Sequence, residues 1–190
     1  LQQFFILAIN YGTLLILANL IAPKYHGAVV LASIPTGLTG VLGTMGVREK
    51  ILKETSISGE KFKALMGLVI AISIVLTLLT LIISTIVSLF YARQFSFGLL
   101  FNVGLGLSII TPLSVFNNYF EGLQSRQLKF KKQNILSILG IAVGSGIAIF
   151  IAYAQLPYVA LVVKLVVPNI IIFLGYIFFL KVDLRFTWTR

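Results

Sequence analysis

Six apolar runs, each long enough to cross a bilayer, occupy most of this chain and leave only short polar segments between them. A bilayer core takes about 20 apolar residues per helix, and the runs cover about residues 3–22, 27–46, 64–90, 98–120, 133–154 and 158–180. They predict an all-α integral membrane protein, a bundle of six transmembrane helices arranged as three hairpins in one lobe. A mean hydropathy of +1.04 and only 11% charged residues exclude an ordinary soluble domain, in which about a quarter of residues are charged. The chain opens at Leu1 with neither an initiator Met nor a charged leader, and so reads as a piece of a longer protein.

A formal net charge of +10 would point to nucleic acid in a soluble protein. Here the cations sit in short loops between apolar runs, where they set topology, and no nucleic-acid partner is expected. Twelve of the 15 follow the second, fourth and sixth runs: Arg48, Lys50, Lys53, Lys61 and Lys63; Arg126, Lys129, Lys131 and Lys132; Lys181, Arg185 and Arg190. The alternate loops carry only Lys24 and Arg93, and Lys164 lies inside the sixth run. The positive-inside rule then places the basic loops and both ends of the segment in the cytoplasm. The predicted outer boundary holds Tyr25, Tyr91, Tyr153 and Tyr158, as an aromatic belt would. The densest knot, Arg126, Lys129, Lys131 and Lys132, lies in EGLQSRQLKFKKQN (121–134), which reads as an inner loop.

Within the runs, small and polar residues carry the information. Gly140 and Gly144 have GxxxG spacing, and Gly37, Gly40, Gly43 and Gly46 recur at every third residue; both sets read as close-contact helix faces. The third and fifth runs read as packing and lipid-facing elements. Polar side chains concentrate in the other four: Asn10, Tyr11, Thr13 and Asn19; Thr36 and Thr39; Asn102, Thr111, Asn117 and Asn118; Lys164 and Asn169. Each can be an interhelical hydrogen bond worth about 0.6 kcal/mol, or together they can line a hydrated cavity. Pro35, Pro112 and Pro168 each remove an N–H from a helical ladder, giving either bending points or static kinks. A mid-span lysine costs roughly 2.5–3.5 kcal/mol to insert, and no carboxylate lies in any of the six runs to pair with Lys164. It either serves an anionic ligand or snorkels toward the outer boundary.

Enzyme chemistry has little to work with. Cysteine is absent, His26 is the single histidine, and Glu49, Glu54, Glu60, Glu121 and Asp183 fall among Lys and Arg on the predicted cytoplasmic side. No catalytic group, metal site or cofactor is expected, and GxxxxGK is absent.

Residues 121–134 and their continuation, LQSRQLKFKKQNILSILG, resemble a motif of the polysaccharide biosynthesis proteins, the Wzx-type oligosaccharide flippases of the MOP superfamily. Leu123, Gln124, Arg126, Leu128, Lys129 and Phe130 fit it, and Ser125 departs from it. LANLIAPKYHGAVVLASI (17–34) resembles the family's first hairpin, with Asn19 where a basic residue is more usual. GVREKILKE (46–54) resembles the exit of its second span. The resemblance implies that this chain is the N-terminal lobe of a two-lobed transporter in a bacterial cytoplasmic membrane. It would move oligosaccharide repeat units on undecaprenyl pyrophosphate outward by alternating access, for surface polysaccharide such as lipopolysaccharide or exopolysaccharide. The implied partners are the lipid-linked oligosaccharide, the bilayer, the second lobe and polysaccharide polymerase machinery. Lys164 would be this lobe's cavity cation, with Asn10, Asn117, Asn118 and Asn169 nearby. The alternatives are a MATE-like cation-coupled exporter, which would want an intramembrane carboxylate, a membrane-embedded transferase, or a non-catalytic scaffold.

Overall fold

The computed structural model of the protein describes residues 2–44, 59–126 and 130–180. Eight helices account for nearly all of these: α1 (Gln2–Leu20), α2 (Pro23–Thr44), α3 (Gly59–Phe90), the short α4 (Ala92–Phe95), α5 (Phe97–Ser108), α6 (Ile110–Arg126), α7 (Phe130–Tyr153) and α8 (Pro157–Leu180). Six membrane-length segments result, with α5 and α6 together forming the fourth, Phe97–Ser125. The chain is a multi-pass, all-helical membrane protein among its described residues.

Element boundaries follow local chemistry. α2 begins at Pro23 and α8 at Pro157, a position where the missing N–H costs nothing because it has no intrahelical partner. The stretch 121–134 is less of a loop than its charge suggests: α6 continues to Arg126 and α7 starts at Phe130. Gln, Arg, Leu and Lys are good helix formers, and after Gly122 this stretch contains no glycine or proline to stop them.

The helices pack in an order that connectivity does not give. α7 and α8 form the most extensive pair, and α3 packs along both α5 and α6. α2 is central, touching α3, α5, α6 and α8, whereas α1 leaves its sequence neighbour and lies against α7. The first hairpin is therefore open. Leu17 of α1 and Ile21 just beyond its end share a buried cluster with Ala148 and Ala152 of α7, where small side chains let a Leu and an Ile seat closely.

Two apolar cores divide the depth of the bundle. At the end of the long polar connections, Leu65, Met66, Val69, Tyr119, Phe120, Leu136 and Tyr176 pack together. There Phe120 meets Tyr176 at 5.7 Å, and Phe116 meets Phe173 edge-on at 5.7 Å. At the opposite, tyrosine-bearing end, the second core joins Leu17, Val29, Leu107, Ala160 and Leu161 to the alanines of α7. Between the cores lies a layer of hydroxyls, amides, glycines and prolines, and this layer holds the candidate site.

Candidate functional site

The middle layer contains two separate polar connections. In the first, Thr39 of α2, Thr80 of α3 and Thr111 of α6 join through their hydroxyls, at 2.8 Å and 3.0 Å. All three side chains are buried. Each threonine has one hydroxyl proton, and one arrangement keeps both interhelical bonds: Thr80 donates to the Leu76 carbonyl at 2.8 Å and accepts from both Thr39 and Thr111. The missing N–H of Pro35 leaves α2 continuous, and Thr39 stays on the same face one turn later. Thr80→Val keeps the shape but breaks both interhelical bonds. It is expected to destabilise the bundle by about 1–2 kcal/mol in reversible unfolding in bicelles. Thr85→Val, whose hydroxyl reaches only the Leu81 carbonyl, should stay within about 0.5 kcal/mol of the parent.

α3, read as a packing and lipid-facing element, packs through a polar face. Ser73, Thr80, Ser84 and Ser88 are buried on one face, and Ser73, Thr80 and Ser88 bond back to the carbonyl four residues earlier. Small hydroxyl side chains let α5 come near: a Cβ on Gly104 would lie 3.0 Å from that of Ser84. The spacing of 73, 77, 80, 84 and 88 was the available signal, masked by the apolar average of the span.

The second connection ties α6, α7 and α8. Asn117 Nδ2 donates to the Asn169 carbonyl at 3.1 Å, while Asn117 Oδ1 is buried without a partner among the described residues. Asn169 Nδ2 donates to the Leu165 carbonyl at 3.0 Å, next to the Lys164 carbonyl that Pro168 leaves without its usual donor. The GxxxG face of α7 seats on this segment. A Cβ on Gly144 would come 2.8 Å from Pro168 Cδ, and one on Gly140 would come 3.1 Å from the Pro168 carbonyl oxygen. The three-residue glycine series behaves differently. Gly43 approaches Val115, whereas Gly37 and Gly40 meet nothing within 4 Å, and Gly46 lies outside the described residues. Three residues turn a helix by about 300°, so such a series spirals off any single face.

The other sequence candidates are placed as follows. Asn118 is half-buried and donates to the Ser114 carbonyl at 2.8 Å; Asn10 is half-buried on α1. Thr13 and Asn19 also bond back within α1, so several polar side chains of the runs are spent on their own helices. Pro112 coincides with the helix break at Ile109, and Pro35 and Pro168 remain inside continuous helices. The notch beside Pro112, about 280 Å³ between α3 and α6, is apolar. Its Ser73 and Thr77 hydroxyls are turned to helix carbonyls.

Lys164 is half-buried on α8, seven residues after Pro157, or about 10 Å along the axis. It forms no hydrogen bond or ion pair with a described residue. Five residues separate it from Asn169, about 140° around the helix, so the asparagine pair and the lysine leave α8 in different directions. Of the basic knot, Arg126 ends α6 and Lys131 and Lys132 fall in the first turn of α7. Their side chains, and Lys129 entirely, lie outside the described residues. No three His, Asp or Glu converge as a metal site would need, among the described residues.

One residue was visible in sequence only through the family motif. Gln124 is 1% exposed, and neither its amide oxygen nor its nitrogen has a partner among the described residues. A buried unsatisfied amide costs about 1–3 kcal/mol. Gln124→Met is therefore expected to stabilise the protein by about that amount in the same unfolding assay. A loss of stability would show that the amide is bonded in the native membrane.

No curated protein and no solved structure matches the chain. The family described as "Polysaccharide biosynthesis protein" matches residues 16–190, from the end of α1 through every later helix. With that match across its membrane helices, the chain belongs to the polysaccharide biosynthesis protein family.

Proposed function

We propose that this chain is the N-terminal lobe of a flippase that carries lipid-linked oligosaccharide repeat units, on undecaprenyl pyrophosphate, across the bacterial cytoplasmic membrane. The observation that carries this reading is the family match over residues 16–190, on a chain whose match contains five complete membrane-length segments and part of the first. Alternating access would come from a second lobe rocking against this one, and the product would feed a polysaccharide polymerase. The charge asymmetry supports an orientation with the basic connections and both ends of the segment cytoplasmic and the tyrosine-bearing end outside.

The middle layer supports a role in that motion. The Pro168 segment, packed on glycines and tied by Asn117, and the break ahead of Pro112 are places where a helix can change direction without exposing new backbone to lipid. Lys164, half-buried and the one Lys or Arg within the six apolar runs of the sequence, is suited to hold an acidic sugar or the pyrophosphate.

The test uses the full-length protein in vesicles carrying a fluorescent lipid-linked oligosaccharide on one leaflet. Protein-dependent movement to the other leaflet, measured by quencher accessibility, is the expected result. Movement no faster than in protein-free vesicles, in preparations that retain their native unfolding transition, would overturn the reading.

A further inference from the structure

We propose that a second pocket, at the tyrosine-bearing end, binds the phosphate of a hydroxylated headgroup held at the bilayer surface. The pocket has a volume of about 400 Å³, within the ordinary range of small-ligand sites. Three turns distant in sequence build it: Lys24 and Tyr25 from the α1–α2 turn, Phe95 and Ser96 before α5, and Gln155 and Tyr158 from the α7–α8 turn.

Its charge has one sign. Lys24 is exposed to the pocket and forms no bond with a described residue. No Asp or Glu occurs in residues 21–26, 91–97 or 154–158, so nothing local competes for that ammonium. Helices α2, α5 and α8 all begin at this pocket, at Pro23, Phe97 and Pro157. Their N-terminal N–H groups add partial positive charge. Ser96, at the α5 N-cap, makes no capping hydrogen bond, which leaves the first amides of that helix available.

The rest of the lining suits the part of the ligand that bears the phosphate. Two tyrosine hydroxyls and the Gln155 amide supply both donors and acceptors of the kind a polyol takes, and the lining also includes the aromatic side chains of Tyr25, Phe95 and Tyr158. Ser96 and Gln155 hold φ of 59° and 60°, the two non-glycine residues with positive φ among those described. Both face the same pocket, and such backbone persists where its surroundings fix it. Two molecules share the required chemistry: the glycerol phosphate of an anionic phospholipid, and the sugar phosphate of a lipid-linked saccharide.

Binding is measured without transport, so the result is independent of the flippase reading. Full-length protein in phosphatidylcholine nanodiscs is titrated with short-chain phosphatidylglycerol in one arm and glucose 1-phosphate in the other, with 31P line broadening as the readout. Saturable binding that weakens about tenfold in Lys24→Gln and is kept in Lys24→Arg is expected. Binding confined to phosphatidylglycerol assigns the site to phospholipid, and binding of the sugar phosphate assigns it to the saccharide. Absence of binding in both arms, or binding that Lys24→Gln leaves unchanged, would overturn the proposal. Lys24 is exposed, and an unchanged melting profile confirms that each variant is folded.

Discussion

Leucine at Gly144 is expected to part α7 from α8 and leave little folded protein in the membrane. Even the first carbon of the new side chain would sit 2.8 Å from Pro168 Cδ and 2.9 Å from Cγ. A pyrrolidine ring has no rotamer that clears the space, and its backbone is tied to α6 through the adjacent Asn169 carbonyl. Gly144→Ala should cost about 1–3 kcal/mol, and Gly144→Leu more. The neighbouring glycines supply a graded comparison. Gly140→Ala meets the Pro168 carbonyl oxygen at 3.1 Å and should be milder, and Gly146→Ala, with nothing within 4 Å, should be silent. At Gly175 the obstacle is the flexible end of Leu136, which can turn aside. Thermal unfolding in detergent, with folded yield from membranes, checks the order 144, then 140, then 146. A destabilised Gly146→Ala beside a stable Gly144→Ala would refute this α7–α8 geometry.

Lys164→Ala is expected to reduce surface-polymer export at least about tenfold at normal protein abundance, and Lys164→Arg to restore most of it. The direction is informative because removing a mid-span lysine lowers insertion cost by roughly 2.5–3.5 kcal/mol. The alanine variant should therefore insert at least as well as the parent, so lost export would report on the cation and not on biogenesis. Restoration by arginine separates charge from side-chain packing. Export by Lys164→Ala equal to that of the parent would mean that the lysine snorkels over the last about 10 Å to the boundary and takes no part in holding substrate. The measurement is polymer quantified from a deletion strain complemented with each full-length variant, normalised to protein level in the membrane.

The local features of this protein were legible because each rests on a short-range rule. The apolar runs put the second and sixth spans at about 27 and 158, while Pro23 and Pro157 start α2 and α8 slightly earlier, and GxxxG at Gly140 and Gly144 marked a close approach without naming the partner. The serine and threonine face of α3 was equally local, but the hydropathy of the whole span hid it. The three-residue glycine series misled for the opposite reason: it looks periodic in sequence yet does not match the 3.6-residue turn. Gln124 carried no physical signal at all, since a glutamine near the end of an apolar run is ordinarily solvated.

By itself the sequence determined that the chain spans the membrane six times and that its spans are helical. Apolar runs of about 20 residues have few other ways to satisfy their backbone in hydrocarbon. Only the tertiary structure decided which faces meet. α1 lies on α7 in preference to α2, three threonines from three helices form one hydroxyl chain, and three remote turns line one pocket that includes Lys24. Periodicity identifies the face that a helix buries. Its partner is chosen by the fit of side chains far apart in the chain, such as Leu17 and Ile21 beside Ala148 and Ala152, or Gly144 beneath Pro168.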